Sequence, residues 1–213
     1  MAMFARDISV ARYRSFDNYR LALDKGVTVL AGPNAAGKTN LIEALQLLTS
    51  GASFRHPTAV ELVHDGTGLC KAELRLEGDG RVLDMGLRVE DGKRSFSRNG
   101  KRCAASGVRG VLPSVLFCPD HLDMVKRGAS VRRTALDDFG VQLSARYADL
   151  ASAYGRCVTQ RNALLKETWC CREMLGAWNE SIARAGSALL VHRLALLDRL
   201  AAHVRDAYGL VAS

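Results

Sequence analysis

The chain has 213 residues, of which 48% are hydrophobic and 24% are charged, and this composition is typical of a soluble globular protein. A formal net charge of +8 favours polyanionic partners, but it does not separate nucleic acid from an acidic membrane surface or from no particular partner. Arg6 and Asp7 interrupt the first apolar residues, and no apolar run is long enough to cross a bilayer. We therefore expect a cytoplasmic protein without a signal peptide.

The six cysteines show no paired Cys-x-x-Cys spacing. The adjacent Cys170 and Cys171 have no second pair with which to complete a zinc site. We therefore expect reduced, mostly buried thiols.

The first 31 residues predict three strands. Alternation predicts a strand at residues 4–10 that ends in a turn at residues 12–16, and Leu21 and Leu23 begin a second strand. A turn at residues 24–26 leads into an apolar, β-branched run at residues 27–31, which predicts a buried strand. Two antiparallel strands ahead of this third one are more typical of an ABC-type head than of a small nucleotide kinase.

A glycine-rich loop follows, because residues 32–39 fit the pattern of Gly, four residues and Gly-Lys-Ser/Thr between a strand and a helix. Its glycines allow successive N–H groups to point at one anion, and the helix from Lys38 to about Gly51 presents its positive dipole end there. Lys38 is expected to reach the β- and γ-phosphates of ATP, and the Thr39 hydroxyl is expected to ligate Mg²⁺. The predicted nucleotide-binding residues are Gly32, Pro33, Asn34, Ala35, Ala36, Gly37, Lys38 and Thr39.

Residues 69–103 alternate between apolar and polar side chains in short segments. They predict strands at 70–76, 81–89 and 94–97. The segments are separated by Gly-Asp-Gly, Asp-Gly and Asn-Gly, which tolerate the positive φ of tight hairpin turns. An antiparallel sheet is the consequence.

The same region carries a run of basic residues with no acidic residue between its ends: Lys93, Arg94, Arg98, Lys101, Arg102 and Arg109. One interpretation is a solvated hairpin edge that its charges protect from aggregation. The other is a phosphate-contacting ridge in which Lys93, Arg94, Arg98, Lys101 and Arg102 bind DNA. Both interpretations stay open.

The rest of the chain predicts one strand and then helices. Residues 115–118 predict a buried strand that Pro119 ends, with Asp120 capping a short helix that reaches Lys126. Ser130 is expected to cap a helix at residues 131–139. Long helices at 144–166 and 174–208 predict an antiparallel hairpin, with Tyr147, Leu150, Tyr154 and Val158 facing inward from one, and Trp178, Ile182, Leu189, Leu196, Leu200 and Val204 from the other.

Five motifs follow one another along the chain: YRSF at 13–16, the loop and helix at 32–44, GASFR at 51–55, VLFCPD at 115–120 and QRNALLK at 160–166. In these motifs the chain resembles the bacterial RecF family, ABC/SMC-like ATPases of DNA replication and recombinational repair. The last two motifs are more specific than the loop, and the similarity runs the length of the chain.

The resemblance implies an α/β fold, with a P-loop ABC-type ATPase lobe and its β-rich subregion at residues 1–140 and a helical lobe at 141–213. It also implies an ATP-dependent homodimer, single-stranded and duplex or gapped DNA as ligand, and RecR- and RecO-type mediator proteins as partners in recombinase loading during an SOS-type response. By the family pattern Arg14 is a further candidate for phosphate contact. Ala36 stands where the family usually carries Gln, but this position contributes mainly backbone.

The family's ABC signature and its Walker B Asp-Glu pair lie in a C-terminal part that we do not find in this sequence. Asp84 falls in a hairpin, Asp138 near a helix end and Asp198 inside a helix, so none follows an apolar strand. Without the Walker B carboxylates no base orients the attacking water and the Mg²⁺ shell is incomplete. We therefore expect the N-terminal portion of a longer protein, with the C-terminal half missing, and its ATPase activity stays open.

Two other functions remain as alternatives. An overcoming-lysogenization-type nuclease begins with a similar head and continues into a metal-dependent cleavage domain, so an acidic metal cluster farther along the chain would identify it. A non-enzymatic DNA-binding remnant with a vestigial loop would bind DNA in a salt-dependent manner and ignore ATP.

Overall fold

The computed structural model describes residues 3–167 and 172–212, which form two compact units on either side of residue 116.

Strands dominate the first unit and form one antiparallel sheet in the order β2-β1-β3-β4-β5-β6. The strands are β1 Phe4–Tyr13, β2 Phe16–Ala22, β3 Leu69–Gly78, β4 Arg81–Glu90, β5 Lys93–Arg98 and β6 Lys101–Cys103. The three segments predicted between residues 70 and 97 are confirmed. So are their tight turns, because Asp79, Asp91 and Asn99 have φ of 50°, 50° and 49° and a positive-φ glycine follows each.

One face of this sheet is buried and the other is polar. In β3 the side chains of Cys70, Ala72, Leu74 and Leu76 are buried while those between them are exposed, as the two-residue period of a strand requires. Helix α1, Lys38–Ser50, packs Ala44, Leu47 and Leu48 into the same core. It ends as predicted at Gly51, whose φ is 71° and whose N–H donates to the Leu47 carbonyl at 3.0 Å.

Three predictions about strands in this region need correction. The second strand begins at Phe16 and not at Leu21, because the turn after β1 is only two residues long. The buried strands predicted at 27–31 and 115–118 are wrong, since neither segment pairs with any strand of the described part. Without a partner these segments stay in solvent: Val27 is 93% and Phe117 is 80% exposed.

The second unit is helical. A single 3-10 turn at Pro119–Leu122 leads into α2 Asp123–Lys126, followed by α3 Ala129–Leu143, α4 Ala145–Leu164 and α5 Arg172–Val211. Ser144 caps α4, because its Oγ accepts from the Tyr147 N–H at 3.3 Å. The predicted cap at Ser130 is wrong, since α3 begins earlier and its N-cap is Gly128. The predicted cap at Asp120 concerns a side chain outside the described part.

Helices α4 and α5 form the predicted antiparallel hairpin. Arg161 Nε donates to Asn179 Oδ1 at 2.6 Å near one end, and a Cβ at Gly186 would lie 3.0 Å from the Tyr154 ring farther along. Tyr147, Leu189 and Leu196 form the buried core. The prediction that Val204 faces this core is wrong: Val204 is 62% exposed, because the 40-residue α5 extends past the 20-residue α4.

Asp137 joins three helices of the second unit. It accepts hydrogen bonds from Nε and Nη2 of Arg193 on α5, at 2.8 and 2.6 Å, and from the Tyr147 hydroxyl on α4, at 2.6 Å. Burial alone would raise the pKa of Asp137, but these hydrogen bonds outweigh burial and lower it below its usual value. None of the described helices, α5 included, combines the length and apolar character that crossing a bilayer requires.

Candidate nucleotide site

The glycine-rich loop and the start of α1 form a cradle of backbone N–H groups. Gly37 is the N-cap of α1 with φ 92° and ψ 1°, and Gly32 and Ala35 also have positive φ, of 155° and 66°. No side chain caps this helix end. Its first-turn N–H groups are therefore left to an anion, and the helix dipole favours one there.

Both backbone conformation and packing against the β1–β2 turn favour glycine at position 37, whose φ of 92° is one that residues with a Cβ rarely adopt. A Cβ on Gly37 would lie 2.5 Å from Phe16 Cζ and 2.8 Å from Ser15 Oγ, closer than Cβ contacts come. The approach of the ligand is the reason for glycine that the sequence indicates. The structure adds a second reason, which is that the turn after β1 lies directly against the loop.

Lys38 points into the loop. Its Nζ donates to the carbonyl oxygens of Gly32 at 2.8 Å and Pro33 at 2.7 Å. An ammonium group has three N–H donors, so one remains and the other two can be exchanged for phosphate oxygens. Thr39, the predicted Mg²⁺ ligand, is exposed in the first turn of α1.

Arg14 is bound to a carboxylate that the sequence analysis did not single out. Its Nε donates to Oε2 of Glu43 and its Nη2 donates to Oε1, each at 3.0 Å. Glu43 lies on α1 and is fully buried. Burial works against the charged guanidinium, but the hydrogen bonds and charge of Glu43 outweigh it and raise the pKa of Arg14. The phosphate contact predicted for Arg14 stays a prediction, limited to the N–H groups that Glu43 does not use.

Further polar side chains surround Glu43. Ser53 Oγ donates to Glu43 Oε1 at 2.7 Å, and Arg55 Nη1 lies 3.6 Å from Oε2. Arg55 Nη1 also donates to Asn40 Oδ1 at 2.9 Å, and Asn40 Nδ2 donates to Ser15 Oγ at 3.0 Å. We call this set the Glu43 cluster: Arg14, Ser15, Asn40, Glu43, Ser53 and Arg55.

The charges near the loop favour an anionic ligand. Arg14, Lys38 and Arg55 are cationic, and Glu43 is the carboxylate that pairs with both arginines. One buried negative charge therefore balances only part of the positive charge. The loop, its lysine and the helix end fit the phosphate chain of a nucleotide in shape and in charge.

The basic run of β5 and β6 divides into two groups. Arg94 lies on the core face beside Phe96 and donates to the Pro57 carbonyl, and Arg109 Nε donates to the Ser50 carbonyl at 2.9 Å. These two arginines therefore tie the first unit together. The side chains of the other four are exposed: Lys93, Arg98, Lys101 and Arg102.

Comparison with known proteins identifies relatives of the chain and of its fold. Residues 7–107 match a family described as AAA domain. A solved structure of the recombination mediator protein RecF with ATPrS, from the RecFOR pathway, superposes with a TM-score of 0.87 at 27% identity and covers 93% of this chain and 55% of that one. A structure of SMC ATPases shares the fold, with a TM-score of 0.51 at 18% identity over 63% of this chain and 98% of that one.

The fold and the site together define the class of protein, an ABC-type ATPase head of the kind that RecF and SMC proteins contain. Within that class, curated RecF sequences match nearly the whole chain. The DNA replication and repair protein RecF of Paenarthrobacter aurescens is 36% identical over 97% of this chain and 54% of its own length. That of Streptomyces avermitilis is 32% identical over 99% of this chain and 59% of its own length.

The chain is a homologue of RecF and fits the N-terminal portion of RecF proteins. It spans about half the length of the curated relatives it matches.

Proposed function

We propose that this chain binds ATP with Mg²⁺ at residues 32–39 and serves as an ATP-dependent DNA-binding protein of replication and recombinational repair. The observation that carries the proposal is the positive-φ loop at the uncapped N-terminus of α1, with Lys38 inside it. The 35% identity with a RecF protein of an Arthrobacter strain over 97% of this chain supports the choice of pathway.

Each element of the loop has one task in this proposal. Backbone N–H groups of Gly32 and of residues 34–37 hold the phosphate chain, since Pro33 has no N–H. Lys38 exchanges the Gly32 and Pro33 carbonyls for phosphate oxygens, and Thr39 ligates Mg²⁺. Arg14 contributes through the N–H groups that face away from Glu43. The Mg²⁺ ion, when bound, offsets the phosphate charge that the side chains leave unbalanced.

Nucleotide binding is tested with a fluorescent ATP analogue and the variant Lys38→Met. The variant should lose binding while keeping the melting temperature, because among the described residues the Nζ of Lys38 bonds to two carbonyls of the loop itself. Lys101→Met, in the β5–β6 hairpin, is the matched control and should bind as the parent does. Removing Mg²⁺ with a chelator should weaken binding. Unchanged binding in Lys38→Met would contradict the assignment of the site.

DNA binding is assigned to the four exposed basic side chains at β5 and β6, Lys93, Arg98, Lys101 and Arg102, with Arg94 as the less accessible member of the predicted set. Fluorescence anisotropy with single-stranded, gapped and duplex DNA over a series of salt concentrations measures the number of phosphate contacts. Arg98→Gln with Lys101→Gln should lower the slope of log K against log salt by about 2 on duplex. Lys71→Gln, on the exposed face of β3, should leave the slope unchanged.

The same titration separates two functions. If ATP strengthens DNA binding in the parent but not in Lys38→Met, the chain works as a nucleotide-controlled clamp. If DNA binding ignores ATP in both, the non-enzymatic remnant is favoured.

The partners that we propose are inferred from the proposed pathway. We propose homodimerisation in ATP, contacts with RecR- and RecO-type mediator proteins, an SOS-type response and a cytoplasmic location. Light scattering during gel filtration, with and without ATP, tests dimerisation, and a mass that does not change with ATP would argue against it.

A further inference from the structure

His64 donates hydrogen bonds to two residues at the turn after β1. Its backbone N–H donates to the Arg12 carbonyl at 2.7 Å, and its ring Nδ1 lies 2.6 Å from the Arg14 carbonyl. A carbonyl oxygen only accepts, so Nδ1 carries the proton in this contact. His64 is half-buried and lies 50 positions from Arg14 in the chain.

The two carbonyls belong to residues with an unusual backbone conformation. Arg12 and Arg14 both have φ of 52°, in the left-handed region that residues with a Cβ rarely adopt. Such a conformation persists only where the surrounding structure holds it. His64 supplies one contact to each of the two residues, with its backbone to Arg12 and with its ring to Arg14.

The backbone around His64 is itself fixed. The Arg14 N–H donates to the Leu62 carbonyl at 2.9 Å. The His64 carbonyl accepts from the N–H of Thr67 at 3.2 Å and from the Thr67 hydroxyl at 2.7 Å. The ring therefore extends from a backbone that is held on both sides, and it can fix the position of the turn.

The turn that His64 holds contacts the candidate nucleotide site in two places. Phe16 and Ser15 lie so close to Gly37 that a Cβ there would be 2.5 Å from Phe16 Cζ and 2.8 Å from Ser15 Oγ. Ser15 Oγ also accepts from Asn40 Nδ2 at 3.0 Å, in the first turn of α1. A turn that moves would therefore release both the loop and the helix end whose N–H groups face an anion.

We propose that His64 is a positioning residue of the nucleotide site, whose ring N–H holds the turn after β1 against the glycine-rich loop. The inference rests on the proposed nucleotide function, and His64 acts through the turn and not on the ligand. The loss of one neutral hydrogen bond changes an equilibrium by about two- to tenfold. We therefore expect an effect of that size on nucleotide affinity.

The first test compares two variants of similar side-chain shape in their binding of a fluorescent ATP analogue with Mg²⁺. His64→Leu removes the ring donor and should bind the analogue about two- to tenfold more weakly. His64→Asn can place an amide N–H where Nδ1 lies and should recover most of the lost affinity. His203→Leu, at an exposed position of α5, is the matched control and should bind as the parent does.

Hydrogen exchange without nucleotide separates positioning from general stability. Peptides that cover residues 32–41 should exchange faster in His64→Leu than in the parent, because the turn no longer holds the loop. Peptides from β4 and β5 should exchange at the rate of the parent. Equal acceleration of all these peptides would mean that the ring serves the stability of the whole unit, and it would overturn the inference.

A further measurement needs no variant. Nitrogen-15 spectra of histidine rings distinguish a proton on Nδ1 from one on Nε2. The neutral ring of His64 should carry its proton on Nδ1, because the Arg14 carbonyl requires a donor there. A proton on Nε2 alone would overturn the inference, even if His64→Leu does not fold.

The outcomes distinguish the proposed function from this inference. A parent chain that binds no ATP analogue refutes the proposed function, and the role of His64 with it. A parent chain that binds the analogue, with His64→Leu equal to His203→Leu, overturns the inference alone. The same holds if His64→Asn binds as weakly as His64→Leu, because the ring donor would then not be what matters.

Discussion

Glu43→Ala should strongly destabilise the first unit. The substitution deletes the acceptor of three hydrogen bonds, two from Arg14 and one from Ser53, in a fully buried place. Breaking a buried ion pair by removing one partner costs about 3–5 kcal/mol. Arg14 is 20% exposed and can regain some water, so we expect the low end, about 3 kcal/mol.

A loss of about 3 kcal/mol corresponds to a fall in melting temperature of about 10–20 °C for a unit of this size. Both tryptophans, Trp169 and Trp178, come after residue 116, so tryptophan fluorescence does not report on the first unit. Hydrogen exchange of peptides from β1 and β3 measures its stability, and tryptophan fluorescence serves as the internal control that the second unit is unchanged.

A second variant separates the ion pair from the loss of volume. Replacing Arg14 by Met and Glu43 by Leu together removes both charges of the hydrogen-bonded pair. It should cost less than Glu43→Ala alone, because the less exposed guanidinium is removed with its partner and the guanidinium that remains, that of Arg55, is 38% exposed and 3.6 Å from Glu43 in the parent. If β1 and β3 exchange at the same rate in Glu43→Ala as in the parent, the argument that Glu43 holds the turn after β1 against α1 is wrong.

Three further predictions concern other parts of the chain. Asp137→Asn should destabilise the second unit, and tryptophan fluorescence during urea unfolding measures the loss. The folded-state pKa of Asp137 is lowered, so the stability that its carboxylate contributes is complete above a pH of about 4. That contribution is lost as pH falls through the folded-state pKa. Burial, together with the hydrogen bond to Asp137, raises the pKa of Tyr147 to about 12, so the contribution of Tyr147 should persist to a pH of about 10 and vanish as pH rises towards 12. Separately, Val27→Lys with Val29→Lys should raise the concentration at which the chain stays monodisperse in light scattering, because these side chains are 93% and 80% exposed; equal solubility would contradict this.

Local chemistry made the hairpins and α1 predictable. The turns at Asp91 and Asn99 need positive φ at two successive residues, and Asp-Gly and Asn-Gly are the pairs that adopt it most readily. Helix α1 likewise begins after a glycine and ends before one, and both boundaries were expected from the sequence. Such features depend on residues that are neighbours in the chain.

The Glu43 cluster depends on residues far apart in the chain, and so it was not predictable from local patterns. Arg14 and Glu43 are 29 positions apart, and a glutamate in the middle of a helix is ordinarily exposed. Only the fold brings the turn after β1 and the segment that follows α1 over the same side of that helix. The loop was therefore predictable from the sequence, whereas the buried carboxylate of Glu43 and its contact with Arg55 were not.

The two wrong strand predictions have a common physical origin. An apolar, β-branched run indicates burial, whereas a strand requires a second strand to receive its hydrogen bonds. Residues 27–31 and 115–118 have the composition but no partner within the described part, and so Val29 and Val115 remain 80% and 79% exposed. The first segment also borders an apolar cavity of about 180 Å³ lined by Leu23, Leu30, Ile42 and Leu45, among others. These two segments thus have the composition of buried strands, but the six-stranded sheet does not bury them.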